Sequence, residues 1–218
     1  MTDLAATAAA LVYTAAIVLL LAVRTLRQYR ATGSTGFNGF RGAAQDPAAR
    51  AAGIGFAAAV LVGLVAPWLA AVGLLPVKNL PIALSAFATL VAGAGLQLGV
   101  TAQQAMGRSW RIGVDHAETT QLVTTGPFRL VRNPIFTALM MIQAGTAAMA
   151  PTWLSLAGAA LMVAACQAQT RLVEEPYLLR RHGDAYRAYA AGAGRFVPGL
   201  GRVPQPAPAA RRAVGERS

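Results

Sequence analysis

Charged side chains are scarce in this sequence. They make up 12% of the 218 residues, whereas 56% of the residues are hydrophobic. A soluble domain is usually about a quarter charged. So little charge leaves much of the surface apolar, and the composition therefore favours an integral membrane protein.

Acidic residues, lysine and cysteine are also few. Eight Asp and Glu stand against 19 Lys and Arg, a formal net charge of +11. Such an excess suits nucleic acid, anionic lipid or control of membrane topology. The single cysteine, Cys166, excludes an internal disulfide and is interpreted as a packing residue. Lys78 is the only lysine, and the abundance of Arg and Ala is typical of a bacterial genome of high GC content.

Long apolar runs take the place of the missing charge. Uncharged runs at residues 4–23, 51–77 and 80–107 each suit the roughly 20 residues needed to cross a bilayer. A further charge-free run, residues 133–170, would form a rod of about 55 Å as one helix. Pro151 lies near its middle, and proline is tolerated at a helix start but not inside a helix. We therefore predict two antiparallel helices there, and an all-α protein with five transmembrane helices.

Basic residues recur at alternate ends of the predicted spans. Arginines follow the first, third and fifth spans, whereas only Lys78 lies between the second and third spans, and the turn at Pro151 has none. Lys and Arg accumulate in cytoplasmic loops. We expect a multi-pass protein of the plasma (inner) membrane with its N-terminus outside and its C-terminus in the cytoplasm. The charge excess is then largely topological, so a nucleic-acid partner is not expected, and no metal site is predicted.

Polar residues concentrate in two segments that flank the predicted hairpin, residues 106–136 and 171–198. An antiparallel hairpin brings both segments to the same membrane face. The helix expected from Pro134 starts with free backbone N–H groups, which suit a ligand carboxylate. Glu174 is placed to bind a cationic or amino-bearing ligand. The alternative is an interfacial ion pair of Arg171 with Glu175, which would contribute little to stability.

Four short motifs occur in order across these segments. They are Leu-Val-Thr-x-Gly-Pro-Phe from Leu122, Arg-Asn-Pro-Ile-Phe from Arg132, Glu-Glu-x-x-Leu from Glu174 and His-Gly-x-x-Tyr-x-x-Tyr from His182. With the apolar hairpin between them, they resemble the isoprenylcysteine carboxyl methyltransferase family over roughly residues 103–198. The resemblance implies a membrane enzyme with a cytoplasmic cofactor pocket that uses S-adenosylmethionine and releases S-adenosylhomocysteine.

The resemblance also implies roles for individual residues. Arg132 would have either a catalytic role or a structural one, holding the loop or pairing with Glu175. Thr170 and Arg171 would lie at the substrate. The residues that would contact the cofactor are Thr120, Gln121, Leu122, Val123, Phe128, Asn133, Pro134, Ile135, Phe136 and Glu174.

The chain is expected to divide into three parts. Residues 1–102 would hold the first three spans, residues 103–198 the methyltransferase core, and residues 199–218 a disordered, Pro-rich basic tail.

The function that follows is methyl transfer to a lipophilic small molecule entering from the lipid, at a carboxylate, hydroxyl or thiol. An NADPH-dependent membrane reductase of related fold is one alternative, although no GxGxxG motif with an acidic ribose partner is present. A non-catalytic membrane scaffold is another.

Overall fold

The computed structural model describes residues 3–33, 35, 46–107 and 121–204. Every regular element in these ranges is a helix. Two stretches of wider π-helix continue α-helices without a break, the first after α1 and the second after α6. The elements are α1 Leu4–Ile17, π-helix Val18–Val23, α2 Arg24–Thr32, α3 Pro47–Ala71, α4 Ile82–Met106, a 3-10 turn Gly126–Arg129, α5 Pro134–Met149, α6 Trp153–Gln169, π-helix Thr170–Glu174 and α7 Glu175–Gly192.

Four helical stretches of the described chain are long and apolar enough to cross a membrane: Leu4–Arg30, Pro47–Ala71, Ile82–Met106 and Trp153–Gly192. Helix α5, at 16 residues, is about 24 Å long, less than the roughly 30 Å of a hydrocarbon core. The all-helical membrane fold is therefore confirmed with four candidate spans, and the count of five stays a prediction.

The turn predicted at Pro151 is present. Helix α5 ends at Met149 and α6 begins at Trp153. Thr152 caps α6 reciprocally, because its hydroxyl accepts from the N–H of Ser155 at 3.0 Å and its own N–H donates to the Ser155 hydroxyl at 2.9 Å. The long charge-free run therefore folds back as an antiparallel hairpin.

Contacts at the two ends of the bundle show how the helices alternate. The N–H of Lys78, between α3 and α4, donates to the carbonyl of Pro151 at 3.1 Å. At the far end, where α4 finishes, the Arg24 guanidinium donates to the carbonyl of Gly107. Arg24, which follows the first span, therefore lies at the end of the bundle opposite Lys78 and the hairpin turn.

Glycine allows α4 and α5 to approach closely. A Cβ on Gly145 would lie 2.7 Å from the carbonyl oxygen of Ala88, and one on Gly95 would lie 2.9 Å from that of Ala138. Both distances are too short for a side chain. Small residues that bring helix backbones together are typical of membrane helix pairs.

A buried hydrogen-bond chain joins three helices inside the bundle. The hydroxyl of Tyr13 in α1 donates to Gln143 Oε1 in α5 at 3.0 Å. Gln143 Nε2 in turn donates to the carbonyl of Ala59 in α3 at 3.1 Å. Large apolar side chains such as Leu61 and Leu90 instead face outward, 59% and 71% exposed. This outer surface fits contact with lipid.

Candidate active site

Arg132 is the best-connected polar side chain at the arginine-rich end of the described structure. Its side chain is 1% exposed. Nη1 donates to the carbonyls of Ala190 at 3.1 Å and Ala193 at 2.6 Å. Nη2 donates to Glu175 Oε1 at 2.8 Å and to the carbonyl of Gly201 at 3.0 Å. The structural role that the sequence allows for Arg132 is therefore present, and its catalytic role stays a prediction.

Glu175 joins two arginines. Besides Arg132, it accepts from Arg195 Nε at 2.7 Å through Oε1 and from Arg195 Nη2 at 2.9 Å through Oε2. The hydrogen bond to Glu175 raises the pKa of Arg195 above its ordinary value. Arg171 lies exposed on the helix. The predicted pair of Arg171 with Glu175 is therefore wrong, because tertiary contacts supply Glu175 with two better-oriented guanidinium groups.

The segment that carries Arg195, residues 193–201, runs beside the turn before α5, and we name it the C-terminal strap. The N–H of Arg132 donates to the carbonyl of Gly194 at 2.7 Å, and the N–H of Gly194 donates to that of Leu130 at 3.1 Å. Val131 and Gly194 form a parallel bridge. These backbone bonds fix the turn and the strap against each other.

The start of α5 is tied to the same strap. The backbone N–H of Asn133 and its Nδ2 both donate to the carbonyl of Arg195, at 3.1 and 3.2 Å. The hydroxyl of Thr137 donates to the carbonyl of Phe196 at 2.8 Å, and the Phe196 ring packs in the main hydrophobic core. Asn133 is thus occupied by protein contacts at the position where the resemblance implies a cofactor contact.

The 3-10 turn is held from α7. Phe128 is buried, and its carbonyl accepts from the hydroxyl of Tyr189 at 2.7 Å. Gly126 opens the turn with φ +60°, a conformation that suits glycine. Motifs more than 50 residues apart in the sequence are therefore in direct contact.

Glu174 lies at the end of the second π-helix, next to the clamped Glu175. It is half-buried and makes no hydrogen bond or ion pair within the described ranges. The Thr170 hydroxyl is fully buried, and neither it nor Gln167 Oε1 has a hydrogen-bond partner among the described residues. Isolated π-helical turns occur frequently at functional sites.

The remaining predicted cofactor residues are placed as follows. Gln121 is exposed, and Leu122 and Val123 are half-buried. Pro134 is buried, and the Phe136 ring packs against Phe56 with centroids 5.6 Å apart. Ile135 is half-buried, and Thr120 lies outside the described residues.

Sequence reasoning missed Arg195 and Tyr189 as members of this site. Arg195 belongs to an irregular segment without a helical or strand period, so no pattern linked it to Glu175. The second tyrosine of the His-Gly-x-x-Tyr-x-x-Tyr motif was the one available signal for Tyr189.

The first residues of the predicted disordered tail also make contacts, since the N–H of Val203 donates to the carbonyl of Ala190 at 3.0 Å. Residues 205–218 lie outside the described structure.

These features define the class: a helical membrane protein in which a loop and a charged helix meet at one end of the bundle. Residues 83–185 match the family model of the phospholipid methyltransferases. This part of the chain is therefore similar to the membrane methyltransferases that the motifs resemble, and that family implies methyltransferase activity. No curated protein matches the chain.

The matched segment runs from the start of α4 into α7. It contains every residue predicted to contact the cofactor. It ends at residue 185, so Tyr189 and the whole C-terminal strap lie beyond it. The strap is linked to the matched segment only by its contacts in the structure, and not by the family match.

Proposed function

We propose that this protein transfers the methyl group of S-adenosylmethionine to a lipophilic acceptor at the membrane. The observation that carries the proposal is the meeting of two segments of a methyltransferase-family region. Arg132 and Glu175, 43 residues apart in the sequence, are joined at 2.8 Å. In this proposal the 3-10 turn, the start of α5 and Glu174 contact one ligand at this end of the bundle.

The residues present fit the chemistry of the cofactor. S-adenosylmethionine carries an ammonium group, a sulfonium, two ribose hydroxyls and a carboxylate. Glu174 offers a half-buried carboxylate without a partner in the described structure, and Gln167 Oε1 adds a buried acceptor in the same state. Buried polar groups normally find hydrogen-bond partners, so these atoms suit the donors of a bound ligand.

The cofactor would supply an activated methyl group on a good leaving group. The protein then has little acid–base work to do and must chiefly align the nucleophile with the methyl group and exclude water. In this proposal Glu174 binds the cationic part of the cofactor and the start of α5 receives its carboxylate. Arg132 holds these elements in place, and Thr170 and Arg171 lie towards the acceptor.

The acceptor is proposed to be an apolar molecule that enters from the lipid. Its carboxylate, hydroxyl or thiol group would receive the methyl group. The name of the matched family adds a phospholipid headgroup to the candidates. The arginine-rich end of the bundle would face the cytoplasm of a plasma (inner) membrane, since basic loops are retained there. The C-terminus would then be cytoplasmic and the N-terminus external.

Calorimetry with detergent-purified protein tests this proposal against the reductase alternative. We expect S-adenosylhomocysteine to bind and NADPH not to bind. Replacing the acid in Glu174→Gln should weaken S-adenosylhomocysteine binding at least tenfold, about 1.4 kcal/mol, because an amide cannot offset a ligand cation.

Asp184→Asn is the matched control. It also removes one negative charge, but from an α7 side chain that is 97% exposed and pairs only with Arg187 in the described structure. Its affinity should equal that of the wild type. Equal affinities for Glu174→Gln and the wild type would refute the role of Glu174, and binding of NADPH alone would favour a reductase.

A further inference from the structure

The C-terminal strap reaches the site through one charged cluster. Glu175 Oε1 is shared by Arg132 Nη2 at 2.8 Å and Arg195 Nε at 2.7 Å, and Oε2 is held by Arg195 Nη2 at 2.9 Å. Two cations therefore share one carboxylate. Arg132 lies in the turn before α5, Glu175 at the start of α7 and Arg195 in the strap, so the cluster ties together three segments that are distant in sequence.

We infer that Glu175 and Arg195 are positioning residues of the cofactor site, and that the strap is a working part of that site. The inference rests on the proposed function, because it names how the cofactor-binding turn is held. Arg195 fixes the orientation of Glu175, and Glu175 then fixes Arg132. The backbone of Arg132 and Asn133 sets the direction in which α5 begins.

The backbone geometry supports this order of action. The backbone hydrogen bonds between the turn and the strap lie within residues 130–133 on one side and residues 194–195 on the other, and the Arg132 side chain adds bonds to the carbonyls of Ala193 and Gly201. Next to them, the Phe196 side chain is 7% exposed and packs in the core beside Leu139 and Ile142. The strap is therefore anchored in the apolar bundle by Phe196 and joined to Glu175 by Arg195.

Arg195→Gln separates positioning from folding. It leaves the Arg132–Glu175 pair intact and neutral overall, keeps Phe196 in the core and keeps the carbonyl of residue 195 as an acceptor for Asn133. The Arg195 side chain is 19% exposed and Glu175 is 18% exposed, so water can reach the carboxylate when the guanidinium is removed. A folded variant is therefore expected.

Two measurements on full-length Arg195→Gln test the inference. Hydrogen exchange should be at least fivefold faster at the amides of Arg132 and Asn133, which donate to the strap. S-adenosylhomocysteine should bind at least fivefold more weakly at a temperature where the variant is fully folded. A merely structural role would lower the melting temperature and leave the affinity of the folded protein unchanged, so unchanged affinity overturns the inference.

A double-mutant cycle shows whether Arg195 acts through Glu175. Once Glu175→Gln is present, adding Arg195→Gln should weaken binding less than twofold further, whereas independent effects would multiply. Arg195→Lys keeps the charge but not the two-pronged contact and should give an intermediate affinity. Arg187→Gln, on the exposed face of α7, is the control and should match the wild type in both measurements.

The inference and the proposed function fail in different ways. If the wild type binds no S-adenosylhomocysteine, the methyltransferase proposal fails and the strap loses its cofactor role with it. The exchange rates would still show whether Arg195 holds the turn. If the wild type binds and Arg195→Gln binds equally well, only the positioning role is overturned.

Discussion

Arg132→Met should have a large effect on folding. It removes four N–H donations while preserving the apolar part of the side chain. The carbonyl of Gly201 can turn to water because that residue is exposed, and the carbonyl of Ala190 still accepts from the N–H of Val203. Glu175 keeps its contact with Arg195. The main losses are the ion pair and the donor to the buried carbonyl of Ala193.

The magnitude follows from these losses. A charged hydrogen bond contributes about 1.5–3 kcal/mol, and an orphaned buried carbonyl costs about 1–3 kcal/mol. Since Met avoids the cost of burying a guanidinium, we expect a net loss of about 3 kcal/mol in the free energy of unfolding. For a chain of this size each kcal/mol corresponds to about 2–4 °C, so the melting temperature should fall by about 6–12 °C.

Cys166 provides the assay. It is the sole cysteine and is fully buried, so a thiol-reactive fluorogenic dye reports only unfolding of the bundle. Arg187→Met is the matched control, because its ion pair with Asp184 is exposed and should contribute under 1 kcal/mol. If Arg132→Met melts within 2 °C of the wild type, Arg132 is not the structural link described here.

Three further substitutions test the fold and the site, each by the same melting assay. Gly145→Val should destabilise strongly, because its Cβ would lie 2.7 Å from a backbone carbonyl of α4, whereas Gly93→Val, with nothing within 4 Å, should change little; equal effects would contradict the close α4–α5 packing. Thr152→Val removes the cap of α6 and should cost about 1 kcal/mol, and no change would argue against the capped turn. Tyr189→Phe loses the 2.7 Å bond to the carbonyl of Phe128 and should cost about 1 kcal/mol; an unaltered melting temperature would show that the bond is not formed.

Helix boundaries set by simple chain chemistry were predictable from the sequence. Pro151 favours a turn over one continuous helix, and the structure turns there, although Pro67 is accommodated inside α3. Lys78 and its neighbours separate two helices as expected, although α3 ends at Ala71 and not at residue 77. The two π-helices were not predictable, because residue patterns distinguish poorly between neighbouring helical pitches.

The site was predictable only in part. Ordered motifs and the hairpin placed Arg132 and Glu175 on the same face, and the structure joins them. The sequence did not predict that Arg195 is a partner of Glu175, because this contact depends on how an irregular segment packs against a turn. Charge spacing along one helix instead suggested Arg171, which shows that an i, i+4 pattern carries little weight when tertiary partners are present.

Ligand-dependent hydrogen exchange tests the central claim most directly. On addition of S-adenosylhomocysteine, peptides covering residues 121–136 and residues 167–175 should both gain protection at the same ligand concentration, with no change around the hairpin turn at Pro151. Protection confined to one of these two segments, or absent from both, would contradict a single cofactor site formed by the turn before α5 and the glutamates after α6.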